Sequence, residues 1–166
     1  MPAHSASPGS GAPRQRGVGL IEVLIAVLIL AIGLLGIAAL QAVALRNSQS
    51  ALERSQAVVR SYDILEAMRV NVAEARSGGY DMPMTCTSPA PGTRGSSAGR
   101  LAGNDLVAWI SAIHAELGER GCGKIACKAV AAPGSQTTDC TVTVRWDDSR
   151  GSGGSDRHEV TTVVRI

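Results

Sequence analysis

The chain has no phenylalanine, and two Trp and two Tyr bring aromatics to only 2% of its 166 residues. Any core is therefore built from Val, Ile, Leu and Ala. Strong charge is missing as well: the formal net charge is +2, and Arg14 and Arg16 are the only charged residues before residue 18. Without those two, 14 basic side chains face 14 acidic ones. Nothing in that balance suggests a nucleic-acid surface, which would need a strong basic patch. No proline occurs between Pro13 and Pro83, so nothing in that stretch interrupts a helix. No cysteine precedes Cys86.

Catalytic and cofactor signatures are absent too. His4, His114 and His158 have no carboxylate and cysteine partners at catalytic spacing, and no set of His, Cys or carboxylate ligands has metal spacing. The stretch GERGCGK, residues 118 to 124, fits the first seven positions of a phosphate-binding loop. It then continues with Ile125 instead of Ser or Thr, and it follows a helical pattern where that motif needs a strand before it. GSGGS, residues 151 to 155, reads as a flexible tip. The sequence predicts no enzyme, no cofactor and no metal.

What is present is a long apolar run. Residues 23 to 40, VLIAVLILAIGLLGIAAL, are 18 positions with no polar side chain. With Leu20 and Ile21 before it and Ala42 to Leu45 after it, the stretch is long enough to cross a bilayer as a helix. A buried helix of a soluble protein is rarely so long and apolar on every face. Lys and Arg counts do not orient it, because Arg14 and Arg16 precede it and Arg46, Arg54 and Arg60 follow it.

The cysteines orient it better. Cys86, Cys122, Cys127 and Cys140 all follow the run. An even number in a small domain behind a membrane segment reads as two disulfides in an oxidising compartment, which makes the C-terminal part exported. A four-cysteine zinc site usually needs two closely spaced pairs, and only Cys122 and Cys127 form one. Four cysteines allow three connectivities. We favour Cys127 with Cys140, on neighbouring strands, and Cys86 with Cys122.

One carboxylate, Glu22, sits at the head of the apolar run, where charge is costly and usually functional. Ala42-Val43-Ala44 offers an ordinary signal-peptidase site, but the apolar stretch is too long for that reading. Gly17 followed by VGLIEVLIAVLIL instead resembles the type IV prepilin signal. The resemblance implies a short leader, residues 1 to 17, cut after Gly17 by prepilin peptidase on the cytoplasmic side. It also implies methylation of the new amine on Val18, and Glu22 as the fifth mature residue. Val18 stands where the family most often has Phe, and Gly19 where it most often has Thr. The new amine lies about one helical turn from the Glu22 carboxylate. In a dry bundle of helices, pairing with such an amine offsets the cost of the buried acid, which is otherwise several kcal/mol.

A second resemblance covers more of the chain. Leu40-Gln41, Tyr62-Asp63, Met68-Arg69-Val70-Asn71 and Gly79-Tyr80 look like the type IV pilus modification protein family, the minor pilins called PilV. Asp105-Leu106 with Trp109, and Val144-Arg145-Trp146, also look like that family. It implies an α+β pilin-like fold: a long N-terminal helix laid on a small antiparallel sheet. The domains expected are a leader at 1–17, a transmembrane half-helix at 18–45, an exported amphipathic half at 46–77 and a periplasmic head at 78–166. The partners implied are other minor and major pilins, prepilin peptidase, the inner-membrane assembly machinery and membrane lipid. The location implied is the inner membrane, then the pilus. The sequence assigns the head neither nucleic acid nor any other ligand. A minor pseudopilin of type II secretion and a membrane-anchored periplasmic binding module are the alternative functions.

Locally, one helix of about sixty residues is expected to run to Gly78-Gly79, with Leu52, Val59, Tyr62, Leu65, Met68 and Val72 on one inward face. Residues 83 to 104 read as loop, because of Pro83, Pro89 and Pro91 with several Gly and Ser. A short helix is expected over Asp105 to Leu117, capped by Asn104 or Asp105. Strands are expected at about 124–131, 140–146 and 159–166, with an exposed loop at 147–158 between the last two.

Overall fold

In a computed structural model we describe residues 19–90, 96–130, 137–151 and 153–166. The chain divides into two compact units, Met1–Gln41 and Ala42–Ile166. Helix α1 runs Leu20–Val70. Its first residues, 20 to 41, make up the described part of the first unit, and all of them are exposed. They include a window long and apolar enough to cross a membrane, with none of it buried.

In the second unit, α1 is followed by α2 (Val72–Arg76), β1 (Met82–Thr85), α3 (Ser97–Leu117), β2 (Cys122–Ala129), β3 (Thr138–Trp146) and β4 (His158–Arg165). The strands form one antiparallel sheet in the order β1-β2-β3-β4. The long helix packs on this sheet, giving the expected α+β, pilin-like arrangement. Ala57, Ile64, Leu65 and Met68 of α1 join Trp109, Ile110 and Ile113 of α3 and Ile125, Val142, Val144 and Trp146 of the sheet in one core.

The inward face of α1 differs from the one expected. Ala57, Ser61, Ile64, Leu65 and Met68 are buried, whereas Leu52, Val59 and Tyr62 are about half exposed. Each three-residue step turns the helix back by roughly 60°. The steps 59, 62, 65, 68 therefore walk halfway round it, and Val59 and Met68 lie on opposite sides. The helix carries two apolar stripes, not one. The stripe of Leu52, Val59 and Tyr62 points away from the head.

The helix also breaks earlier than expected. Asn71 leaves helical geometry (φ −115°, ψ 48°); α2 then runs to Arg76, and the chain turns at the left-handed Gly78 (φ 82°). The Asn71 side chain does not cap α2; it donates to the Ala98 carbonyl at 2.9 Å. A tertiary bond thus takes the side chain that would otherwise have served the local helix.

Two parts of the expected 83–104 loop are ordered elements. Pro83 sits in β1, an edge strand, where a missing N–H can face away from the ladder. Helix α3 begins at Ser97, not Asp105. The Ser96 hydroxyl accepts from Gly99 N at 2.9 Å and caps it. Gly99, Ala102 and Gly103 are buried, so the close packing that small residues permit offsets the roughly 1 kcal/mol that each helical glycine costs. The three expected strands are present, each beginning or ending within about two residues of expectation.

The α3–sheet contact turns on Gly123. A Cβ there would lie 2.4 Å from Trp109 Cζ3 and 3.0 Å from Ile110 Cδ1. The Trp109 indole therefore lies against bare backbone of β2, while its Nε1 donates to the Arg60 carbonyl of α1 at 2.8 Å. Gly123→Ala should destabilise the head by about 1–3 kcal/mol through overpacking. A circular-dichroism melt of the full chain in detergent should show a Tm lower by several degrees. Lys124→Ala, at the exposed neighbouring position, should leave Tm unchanged.

Candidate functional site: the processing and assembly segment

Gly17 and Val18 lie outside the described residues. Glu22 lies in the first turn of α1, with its backbone N–H donating to the Gly19 carbonyl at 2.9 Å. An acid in a first helical turn is favoured by the partial positive charge of that end. The Glu22 side chain is exposed, and among the described residues it has no hydrogen-bond or ionic partner. From Leu20 to Leu45 the exposed surface is otherwise almost wholly apolar, broken by Gln41. A Cβ at Gly33 or Gly36 would touch nothing within 4 Å in this chain. The segment therefore presents one carboxylate and a long apolar surface to whatever surrounds it. Chemically that arrangement serves insertion, recognition and helix association, and it holds no nucleophile or acid–base pair.

In the second unit, the residues that carried the wider resemblance have structural roles. Tyr80 is fully buried, and its hydroxyl donates to the Asp105 carboxylate at 2.6 Å. The Asn71 amide in turn donates to the Tyr80 oxygen at 3.4 Å. Burial, and then the bond to Asp105, push the Tyr80 phenol well above its ordinary value. It is a neutral donor at any physiological pH. Arg60 pairs with Asp63 at 2.8 Å and with Glu116 of α3 at 3.1 Å. Glu66 pairs with Arg69 on the wet side of the helix.

The cysteines are joined Cys86–Cys122 and Cys127–Cys140. The first ties the end of β1 to the start of β2. The second bridges directly opposed residues of β2 and β3. Arg145 Nη2 stands 3.5 Å from Cys86 Sγ and 3.4 Å from Cys122 Sγ.

One polar pocket of about 440 Å³ lies between α1 and the loop after β3, lined by Arg46, Gln49, Ser50, Glu53, Asp148 and Arg150 among others. The Ser50 hydroxyl donates to the buried Asp148 carboxylate at 2.5 Å and docks the loop on the helix. Burial, then the Asp148 charge, push the Glu53 carboxyl up. Nothing in the sequence singled out this contact, because its two partners are 98 residues apart. His114 contacts the Gly121 carbonyl at 3.1 Å, and His158 packs edge-on against Trp146. GERGCGK contains the left-handed Gly118 at the end of α3 and then enters β2, the reverse of a phosphate loop's strand-to-helix order. Among the described residues no group of three or more His, Cys, Asp or Glu is placed to hold a metal.

The disulfides generate a direct test. Thiol labelling of the denatured, unreduced full chain should modify none of the four cysteines, and labelling after reduction should modify all of them. Each bridge should contribute about 2–4 kcal/mol.

Compared with known families, residues 12–38 match the prokaryotic N-terminal methylation motif, which covers Gly17, Val18, Glu22 and most of the apolar run. No curated protein and no solved structure matches the chain. The motif implies processing by prepilin peptidase. The prepilin-type signal at 12–38, together with the long helix on a small four-stranded antiparallel sheet, supports a type IV pilin-like or pseudopilin protein.

Proposed function

We propose that the chain is a minor pilin of the type IV pilus, of the PilV type, that joins or primes the filament from the inner membrane. The observation that carries the proposal is the sequence order of Gly17, Val18 and Glu22 around the start of an apolar run whose described residues are exposed on every side of the helix. In this reading residues 1–17 are a cytoplasmic leader, 18–45 span the membrane and 46–77 are exported. Residues 78–166 form a periplasmic head closed by its two disulfides.

Glu22 is the assembly residue. Outside a bundle its carboxylate is exposed. Inside one it needs a cation, and the Val18 amine of a neighbouring subunit fits that need and sets axial register. The open space over Gly33 and Gly36 and the outward stripe of Leu52, Val59 and Tyr62 support helix-to-helix packing with other pilins. The PilV reading is supported by Asn71, Tyr80 and Asp105, resemblance residues that join in one hydrogen-bonded chain. A pseudopilin of type II secretion would carry the same signal. Recovery of the chain in sheared pili, set against recovery with secretion-system complexes, separates the two readings.

Two substitutions test the mechanism. Gly17→Val should leave an uncut precursor in the membrane, whereas N-terminal mass analysis of the wild type should show a start at Val18. A start at Leu45 would contradict the reading. Glu22→Val should still be cut and inserted, since it makes the segment more apolar. It should be depleted from sheared pili relative to the inner membrane, because breaking a buried ion pair costs roughly 3–5 kcal/mol. An unchanged ratio would show that the carboxylate does not drive incorporation.

A further inference from the structure

The two edges of the sheet are unlike. The β1 edge is four residues long, contains Pro83 and pairs with a register irregularity. Short length, proline and bulging all discourage strand addition. The β4 edge is eight residues, HEVTTVVR, without proline or glycine. Thr138 and Ile166 exchange both backbone bonds, at 2.9 Å each way. In an antiparallel ladder such bonded pairs recur at every second residue. Cys140/Val164, Val142/Thr162 and Val144/Val160 are therefore the bonded pairs of β3 and β4. Glu159, Thr161, Val163 and Arg165 turn their N–H and C=O groups to the open side, and among the described residues no strand pairs with them. The same four side chains lie on the exposed face of the strand. Val163 is 64% exposed, the one large apolar side chain of the sheet left in water among the described residues.

The order of those four residues says what fits the edge. Set antiparallel against a copy of itself about a two-fold axis at Thr162, the strand places Glu159 opposite Arg165 and Thr161 opposite Val163, twice over. All are residues with open backbone groups, so hydrogen bonds and charges are satisfied in one register. A two-residue slip puts Glu159 opposite Val163 and loses the charge match, and a one-residue slip turns side chains to opposite faces. Arg165 is already held by Asp139 at 2.7 Å, and Arg145 lies opposite Glu159 within the sheet. At its Arg165 end the edge thus extends a cross-strand ion pair that exists in the single chain. Only β1 edges remain outside the joined sheet, so the association closes at two copies and does not run on as a fibre.

We propose that the β4 edge is a self-association surface through which two copies of this chain join their heads into one continuous sheet, independently of the pilin reading. The test uses the mature full chain in detergent, followed by sedimentation over a range of concentrations. Wild type should show a monomer–dimer equilibrium. Glu159→Lys and Val163→Lys, both at exposed positions, should each weaken it by about tenfold or more while leaving the thermal melt unchanged. Thr162→Cys should cross-link to itself under mild oxidation far faster than Thr161→Cys, because only residue 162 meets its own copy across the axis. A chain that stays monomeric overturns the proposal. So does an association that both lysine variants leave intact, which would belong to the apolar helix, and so does cross-linking equal at 161 and 162.

Discussion

A buried phenol must find a partner, and the single bond from Tyr80 to Asp105 governs how the second unit closes. Leaving the Tyr80 hydroxyl unsatisfied in the core would cost about 1–3 kcal/mol. To meet, the chain after α1 must double back so that residue 80 reaches α3. Asn71 completes the link by bonding Tyr80 and the Ala98 carbonyl together, which ends α1 at Val70. Met82, two residues after Tyr80, enters the sheet opposite Ile125. One polar contact thus fixes the end of the long helix, the placing of α3 and the start of the sheet.

The rest of the head is held by contacts of a different kind. Trp109 lies on bare backbone at Gly123 and bonds the Arg60 carbonyl, so α1, α3 and β2 share one side chain. Asp148 pins the loop after β3 to Ser50. Gly154 lets that loop turn tightly over the Asp148 carbonyl, since a Cβ there would lie 1.8 Å from the oxygen. With no phenylalanine available, these few large or polar side chains supply the specificity that an aliphatic core lacks.

The legible parts of this structure were those written in local sequence. The apolar run, the signal around Gly17 and Glu22, the alternation of Cys140, Val142, Val144 and Trp146, and the turn at Gly78 each depend on residues within a few positions of one another. The illegible parts depended on distant partners. Ser96 to Gly103 reads as loop because Gly99 and Gly103 are poor helix formers, and only their burial in the folded head offsets that. Pro83 argued against a strand, and only its place on an edge removes the objection. The face of α1 was misread because Leu52, Val59 and Tyr62 are as apolar as the residues that are buried. Periodicity finds apolar positions, but it does not say which of two opposite stripes meets the head. Tyr80, Asn71 and Asp105 were recognisable as a set by resemblance, while their shared hydrogen bonds needed three dimensions.

The two disulfides carry a consequence for the durability of the head against proteolysis. They close loops with sequence separations of 36 and 13, and these hold all of α3 and the β2–β3 hairpin. A protease that cuts within either loop severs the backbone without releasing a fragment. The nicked chain keeps its covalent path from α1 to the last strand, and the damage shows on a gel only after reduction. Residues 141 to 166, beyond the last bridge, have no such insurance: a cut there sheds β4 and whatever it holds.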